Sequence, residues 1–254
     1  MVLPGWSARG CPELAATRSP ASDYTGTNRP RGKLPGRHHA AGQRAGMART
    51  ITPGETTDMG KAEIPSGTLA FCDLDLKERD NLDAEMAAMV AGIEKKYGFV
   101  PNFVKLFATD NQRLRAFMTP YLELMRRDSG LDMLEHEMIA LVCAATNGCV
   151  YCCAHHGAQL RGESGDALLT EYLGRNYRLA ELSPRHRAML DFVVKVSTDA
   201  EAIDSRDHDA LREVGFDDEA IWSIASTAAF YAGANRLAQA AGLHVTPEYL
   251  SMHR

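Results

Sequence analysis

The sequence predicts an all-α protein, and three observations carry that expectation. Apolar residues recur at helical spacing in one segment after another. Helix stops and starts, among them Gly98, Asn147-Gly148 and Ser183-Pro184, separate those segments at helix-like intervals. Strand signals are almost absent, and no repeat period is visible.

Residues 1–60 stand apart from the rest. They carry Pro4, Pro12, Pro20, Pro30, Pro35 and Pro53 among many Gly, Ser, Thr and Arg. So few apolar side chains cannot offset the entropy of ordering, and disorder is expected. An upstream over-extension of the reading frame, with Met47 or Met59 as the natural start, is the simpler account of this leader than a transit peptide. Residues 61–254 form the expected globular domain, with order beginning near Ile64.

Asp80 or Asn81 is placed to cap a first helix, whose residues Leu82, Met86, Met89, Val90, Ile93 and Tyr97 share one face. Gly98 ends it, and Pro101 opens a short helix with Phe103, Leu106 and Phe107 as its apolar face. Asn111 to Arg127 reads as a further helix, with a kink or break expected at Pro120. Asp132 with Glu135 is a capping box for a central helix reaching Ala145. Asn147-Gly148 stops that helix, and another begins at once around Cys149. Four more are expected near 165–174, 184–198, 205–214 and 217–241. The last is Ala-rich and suited to tight packing against another helix or subunit.

The net charge is −5, which argues against a nucleic-acid partner. It divides unevenly. Residues 1–46 hold seven basic and two acidic side chains, whereas the remainder holds twenty-one basic and thirty-one acidic. No run approaches the roughly 18 apolar residues that span a bilayer. Six cysteines, four of them within Cys143–Cys153, do not form a secreted disulfide framework. A reducing, cytoplasmic setting with a specialised thiol site is the expectation.

That site is the stretch Glu137 to His156. Only a thiolate is a good nucleophile, and an ordinary thiol with a pKa near 8.5 is mostly protonated at neutral pH. Cys149, just after the Gly148 stop, falls at a helix N-terminus, where unpaired N–H groups favour negative charge. Cys152 follows three residues later, within disulfide reach, and His156 lies one turn beyond it. Tyr151 offers a hydroxyl between the two. Glu137, on the preceding helix, is folded back by the break and can relay protons with His156. Zinc is disfavoured: Cys152, Cys153, His155 and His156 cannot all converge on one tetrahedral ion, and no second Cys-x-x-Cys exists. Cys72, Cys143 and Cys153 read as packing residues. His155 is either an outer hydrogen-bonder or a neutral structural histidine, and His136 is expected to face solvent.

Glu137, eleven residues, Cys149-Val150-Tyr151-Cys152, three residues and His156 resemble the signature of the alkylhydroperoxidase D-like group of the carboxymuconolactone decarboxylase superfamily. Phe99-Val100-Pro101-Asn102, His155-His156-Gly157-Ala158 and Asn235-Arg236-Leu237-Ala238 are similar to its peroxidase-related branch. The resemblance spans roughly 64–250 and implies an all-helical fold with no prosthetic group and no metal. It also implies a homo-oligomer (dimer, trimer or hexamer). By the same resemblance Cys152 attacks the hydroperoxide, Cys149 resolves the sulfenic acid as a disulfide, and Glu137 and His156 relay protons, with Tyr151 and His155 in support. An external dithiol or lipoylated protein then reduces the disulfide. Tyr151 stands where well-studied members have His. Two other functions are compatible with the stretch: a redox sensor or assembly protein using the same disulfide, and a decarboxylase-type enzyme, whose relatives typically lack the cysteine pair.

Overall fold

A computed structural model describes residues 71–76, 82–125 and 129–254. The expectations for the 1–60 leader, the start near Ile64 and the Asp80 or Asn81 cap lie outside those residues. The first described helix, α1 (Ala84–Tyr97), is capped by Asp83, whose carboxylate accepts the Met86 N–H at 3.0 Å. It ends at Gly98 with φ of 80°, a left-handed position that glycine occupies without strain.

Helix α2 (Asn102–Ala108) follows Pro101, which stands just before the first turn. Helix α3 (Asn111–Leu124) continues through Pro120, so of the kink or break expected there the break does not occur. Proline removes one N–H, and the freed carbonyl belongs to Ala116, an exposed residue that water can reach. Helix α4 (Met133–Thr146) starts on the predicted capping box of Asp132 and Glu135. Then come α5 (Val150–Ser164), α6 (Ala167–Asn176), α7 (Pro184–Thr198, capped by Ser183), α8 (Ser205–Glu213) and α9 (Asp218–Ala240, capped by Asp217). A 3-10 turn, Pro247–Leu250, closes the chain. Among the described residues there is no strand, and no helix is long and apolar enough to cross a membrane.

Helix α4 is the axis of the fold. It packs against α5, α6, α7 and α9, and ten of its fourteen residues are buried. Met138, Ile139, Leu141 and Val142 meet Leu160 of α5, Leu173 of α6, Met189 and Val193 of α7 and Ile224 of α9. Each such side chain contributes about 1.5–3 kcal/mol on burial. With neighbours on every side, α4 has no solvent face to give His136. The expectation of an exposed His136 is therefore wrong: it is buried, with Nε2 3.1 Å from Ser129 Oγ.

A second cluster holds Met86 of α1 with Leu114 and Met118 of α3. A third surrounds the cysteines and is closed by the C-terminal segment. Arg161 of α5 ties that segment down, donating from Nη2 to the Tyr249 carbonyl at 2.9 Å and from Nε to the Met252 carbonyl at 3.2 Å.

Candidate active site

The site is built on the α4–α5 hairpin. Asn147 caps α4 and its Nδ2 donates back to the Cys143 carbonyl at 2.9 Å. Gly148 then takes φ of 67°, and the Cys149 N–H returns to the Ala144 carbonyl at 3.0 Å. This tight reversal makes α5 antiparallel to α4. Residues roughly equidistant from the turn along the two helices, such as Glu137 and His156, are thereby set face to face.

Cys149 is itself the N-cap of α5: its Sγ accepts the Cys152 N–H at 3.3 Å. The two sulfurs are joined as a disulfide, with Cα atoms 5.3 Å apart. Both are buried, Cys149 at 1% exposure and Cys152 at 5%, while Val150 between them is 73% exposed. The helix tip thus meets solvent while its sulfurs face inward.

Farther along the hairpin, Glu137 Oε2 lies 2.9 Å from His156 Nδ1, and both side chains are buried. Burial pushes the Glu137 carboxyl up to about 7, against the nearby positive influence of His155, His136 and Lys96. Burial pushes His156 down. A low-dielectric site disfavours charge on both partners, so the pair is held near neutrality with the carboxyl poised to titrate close to pH 7. When Glu137 is ionised it accepts from His156 Nδ1–H, which leaves Nε2 as a free acceptor.

The His156 ring is boxed in. Tyr231 of α9 meets it edge-on at 4.7 Å and His155 at 4.6 Å. His155 also meets Tyr249 at 4.7 Å, its Nδ1 has no partner, and burial pushes it down to about 3. It is a neutral packing imidazole. Tyr151 turns its hydroxyl away from this pair: Oη accepts the Phe103 N–H of α2 at 3.1 Å. Tyr231 lies seventy-five residues beyond His156 in the chain and no local pattern links the two. It reads in sequence only as one apolar position on α9.

Two other thiols, Cys143 and Cys153, are not activated. Cys143 lies 3.4 Å from Ser197 Oγ, and burial pushes it and Cys153 up. Among the described residues no three His, Cys, Asp or Glu side chains are grouped to hold a metal ion.

Residues 112–167 match the profile of the carboxymuconolactone decarboxylase family. The crystal structure of an uncharacterized peroxidase-related protein from Silicibacter sp. TM1040 is 40% identical. That match covers 72% of this chain and 96% of the other, with a TM-score of 0.70. An uncharacterized peroxidase-related protein from Ralstonia eutropha JMP134, described as an alkylhydroperoxidase AhpD core, is 36% identical over 73% and 97% of the two chains, also with a TM-score of 0.70. The debrominase Bmp8, at 18% identity and a TM-score of 0.57, shares the fold alone. No curated protein matches the chain.

Proposed function

The chain belongs to the alkylhydroperoxidase D-like group of the carboxymuconolactone decarboxylase superfamily, and from that membership we propose that it is a thiol-dependent peroxidase acting on organic hydroperoxides. The observation that carries the reading is the Cys149–Cys152 disulfide at the opening of α5, backed by the buried Glu137–His156 pair.

In the reduced protein, the Glu137–His156 pair takes the Cys152 thiol proton. The thiolate attacks the terminal peroxide oxygen: an S–O bond forms, the O–O bond breaks, and the departing alkoxide collects the proton to leave as alcohol. Cys152 is then a sulfenic acid. Cys149 attacks its sulfur, the disulfide forms and water leaves. Its place at the helix N-terminus favours Cys149 as the attacking thiolate. An external dithiol, of which a lipoylated protein is one form, donates two electrons and two protons to restore both thiols. The working unit is a homo-oligomer.

The test is consumption of cumene hydroperoxide with a dithiol donor, together with mass spectrometry after one equivalent of peroxide. Turnover, with sulfenate or disulfide confined to Cys149 and Cys152, is expected. Turnover that survives in Cys152→Ser overturns the mechanism.

A further inference from the structure

The disulfide must be reached by a thiolate travelling in line with the S–S bond, yet both sulfurs are buried. Something that packs over them has to yield once in every catalytic cycle. Phe99, at the foot of α2, and Phe103, within it, pack against the cluster that contains Cys149 and Cys152, as does the C-terminal segment.

Of these covers, α2 is a short helix whose Phe103 and Phe107 also pack on Phe117 of α3. It has seven residues, none of them buried, and Pro101 gives it no side-chain cap. Its first turn is held instead by three bonds to other elements. The Phe103 N–H donates to Tyr151 Oη at 3.1 Å, the Asn102 N–H to Thr246 Oγ1 at 3.1 Å, and Asn102 Nδ2 to the His244 carbonyl at 3.0 Å. The rings of Phe103 and Tyr151 also stack, centroids 6.0 Å apart. The C-terminal segment is tied separately, through the Arg161 guanidinium. Outside the α2 attachment lies a cavity of about 220 Å³ between Phe99, Asn102 and Lys105 on one side and Thr246 and Glu248 on the other. The first turn of α2 therefore borders that cavity.

We infer that Tyr151 is a positioning residue: its hydroxyl, reaching from the redox turn of α5 to the first turn of α2, latches that helix over the Cys149–Cys152 pair and sets how readily a dithiol reduces it. The inference rests on the proposed redox role of that pair. The latch residue sits between the two sulfurs in sequence, so any repacking of the first turn of α5 when the disulfide opens is transmitted directly to α2. In the reductive step the dithiol thiolate attacks one sulfur, the other leaves as a thiolate, and the second donor thiol displaces the mixed disulfide. Two electrons pass from the dithiol to the pair.

The experiment follows reduction of the preformed disulfide by dithiothreitol in the full chain, with alkylation quench and mass spectrometry at Cys149 and Cys152. Tyr151→Phe keeps the ring and removes one acceptor; Thr246→Val removes another from a different element. Losing one such bond should speed reduction roughly three- to tenfold in each variant. Amide exchange should quicken over residues 102–108 and stay unchanged in α4 and α9. Rates within twofold of the parent in both variants overturn the latch. So does faster reduction accompanied by faster exchange in α4 and α9, because that is general loosening. No peroxide enters this assay. A chain that fails to consume hydroperoxide but shows the shifted rates loses the peroxidase reading and keeps the latch. One that consumes it with unmoved rates keeps the peroxidase reading and loses the latch.

Discussion

Helix α4 buries two glutamates that lie two residues apart, and they live in opposite surroundings. Glu135 is 4% exposed and Glu137 5%. Glu135 points to α7, where Arg185 Nε donates to it at 2.8 Å, and its other oxygen accepts the Asp132 N–H of the capping box at 3.2 Å. It is thus held by a permanent cation and a helix start. Glu137 points to α5, where its hydrogen-bond partner is an imidazole that burial keeps uncharged. Equal burial therefore says little about role. Glu135 is fixed by an ion pair and a helix start, whereas Glu137, facing a neutral partner, can exchange its proton near pH 7.

The comparison can be broken at several points. The largest effect belongs to the proposed nucleophile: Cys152→Ser should lower peroxide turnover by about a thousandfold or more, measured with cumene hydroperoxide. Glu137→Gln keeps the shape and removes the titration. Its kcat/KM should fall about a hundredfold, and the rise in rate through pH 7 expected of the parent should flatten. A variant that keeps that inflection would assign the titration to another group.

Glu135→Gln should do the reverse. Turnover per folded molecule should stay within about threefold, while urea unfolding shows a loss of about 1–2 kcal/mol because Arg185 forfeits its carboxylate. If Glu135→Gln abolishes activity and Glu137→Gln does not, the contrast between the two is wrong.

The smallest effect is the pH dependence of stability. His136, His155 and His156 are pushed down by burial, so below the ordinary histidine range the unfolded chain binds more protons than the native one. Their contribution is complete above about pH 6.5 and is lost as pH falls below it. Glu137, pushed up to about 7, acts with the opposite sign: the native state binds its proton more tightly, and that advantage fades as pH rises from about 4.5 to 7. Three imidazoles outweigh one carboxyl, so the urea midpoint should drop between pH 7 and pH 5. In Glu137→Gln the drop should be steeper, since the opposing group is gone.

What the sequence disclosed follows from how local each cause is. The Asp132–Glu135 box, the Ser183-Pro184 start and the Gly98 stop each act within four residues, and the helices begin and end there. The helical spacing predicts the cap of the first helix at Asp80 or Asn81, not at Asp83. Asp83 takes that role while its N–H donates to Asn111 Oδ1 and its carboxylate meets Arg115, twenty-eight and thirty-two residues away. His136 misled for the same reason: flanking acids suggest a wet face, and only the surrounding helices remove it. The pairing of Glu137 with His156 was foreseeable from the reversal at Gly148, a one-residue cause. The enclosure of His156 by Tyr231 and the hold of Tyr151 on α2 arise from distant elements meeting, and no spacing encodes them.

One atom, Cys149 Sγ, both opens a helix and stores electrons. When the disulfide is cleaved, the released sulfur still has the Cys152 N–H before it and the positive end of α5 behind that. In the proposed cycle the same hydrogen bond that starts the helix favours the thiolate of Cys149, which would make the pair a stronger oxidant than two cysteines on an unstructured loop. Fraying of that turn and the midpoint potential of the couple are consequently one equilibrium viewed from two sides.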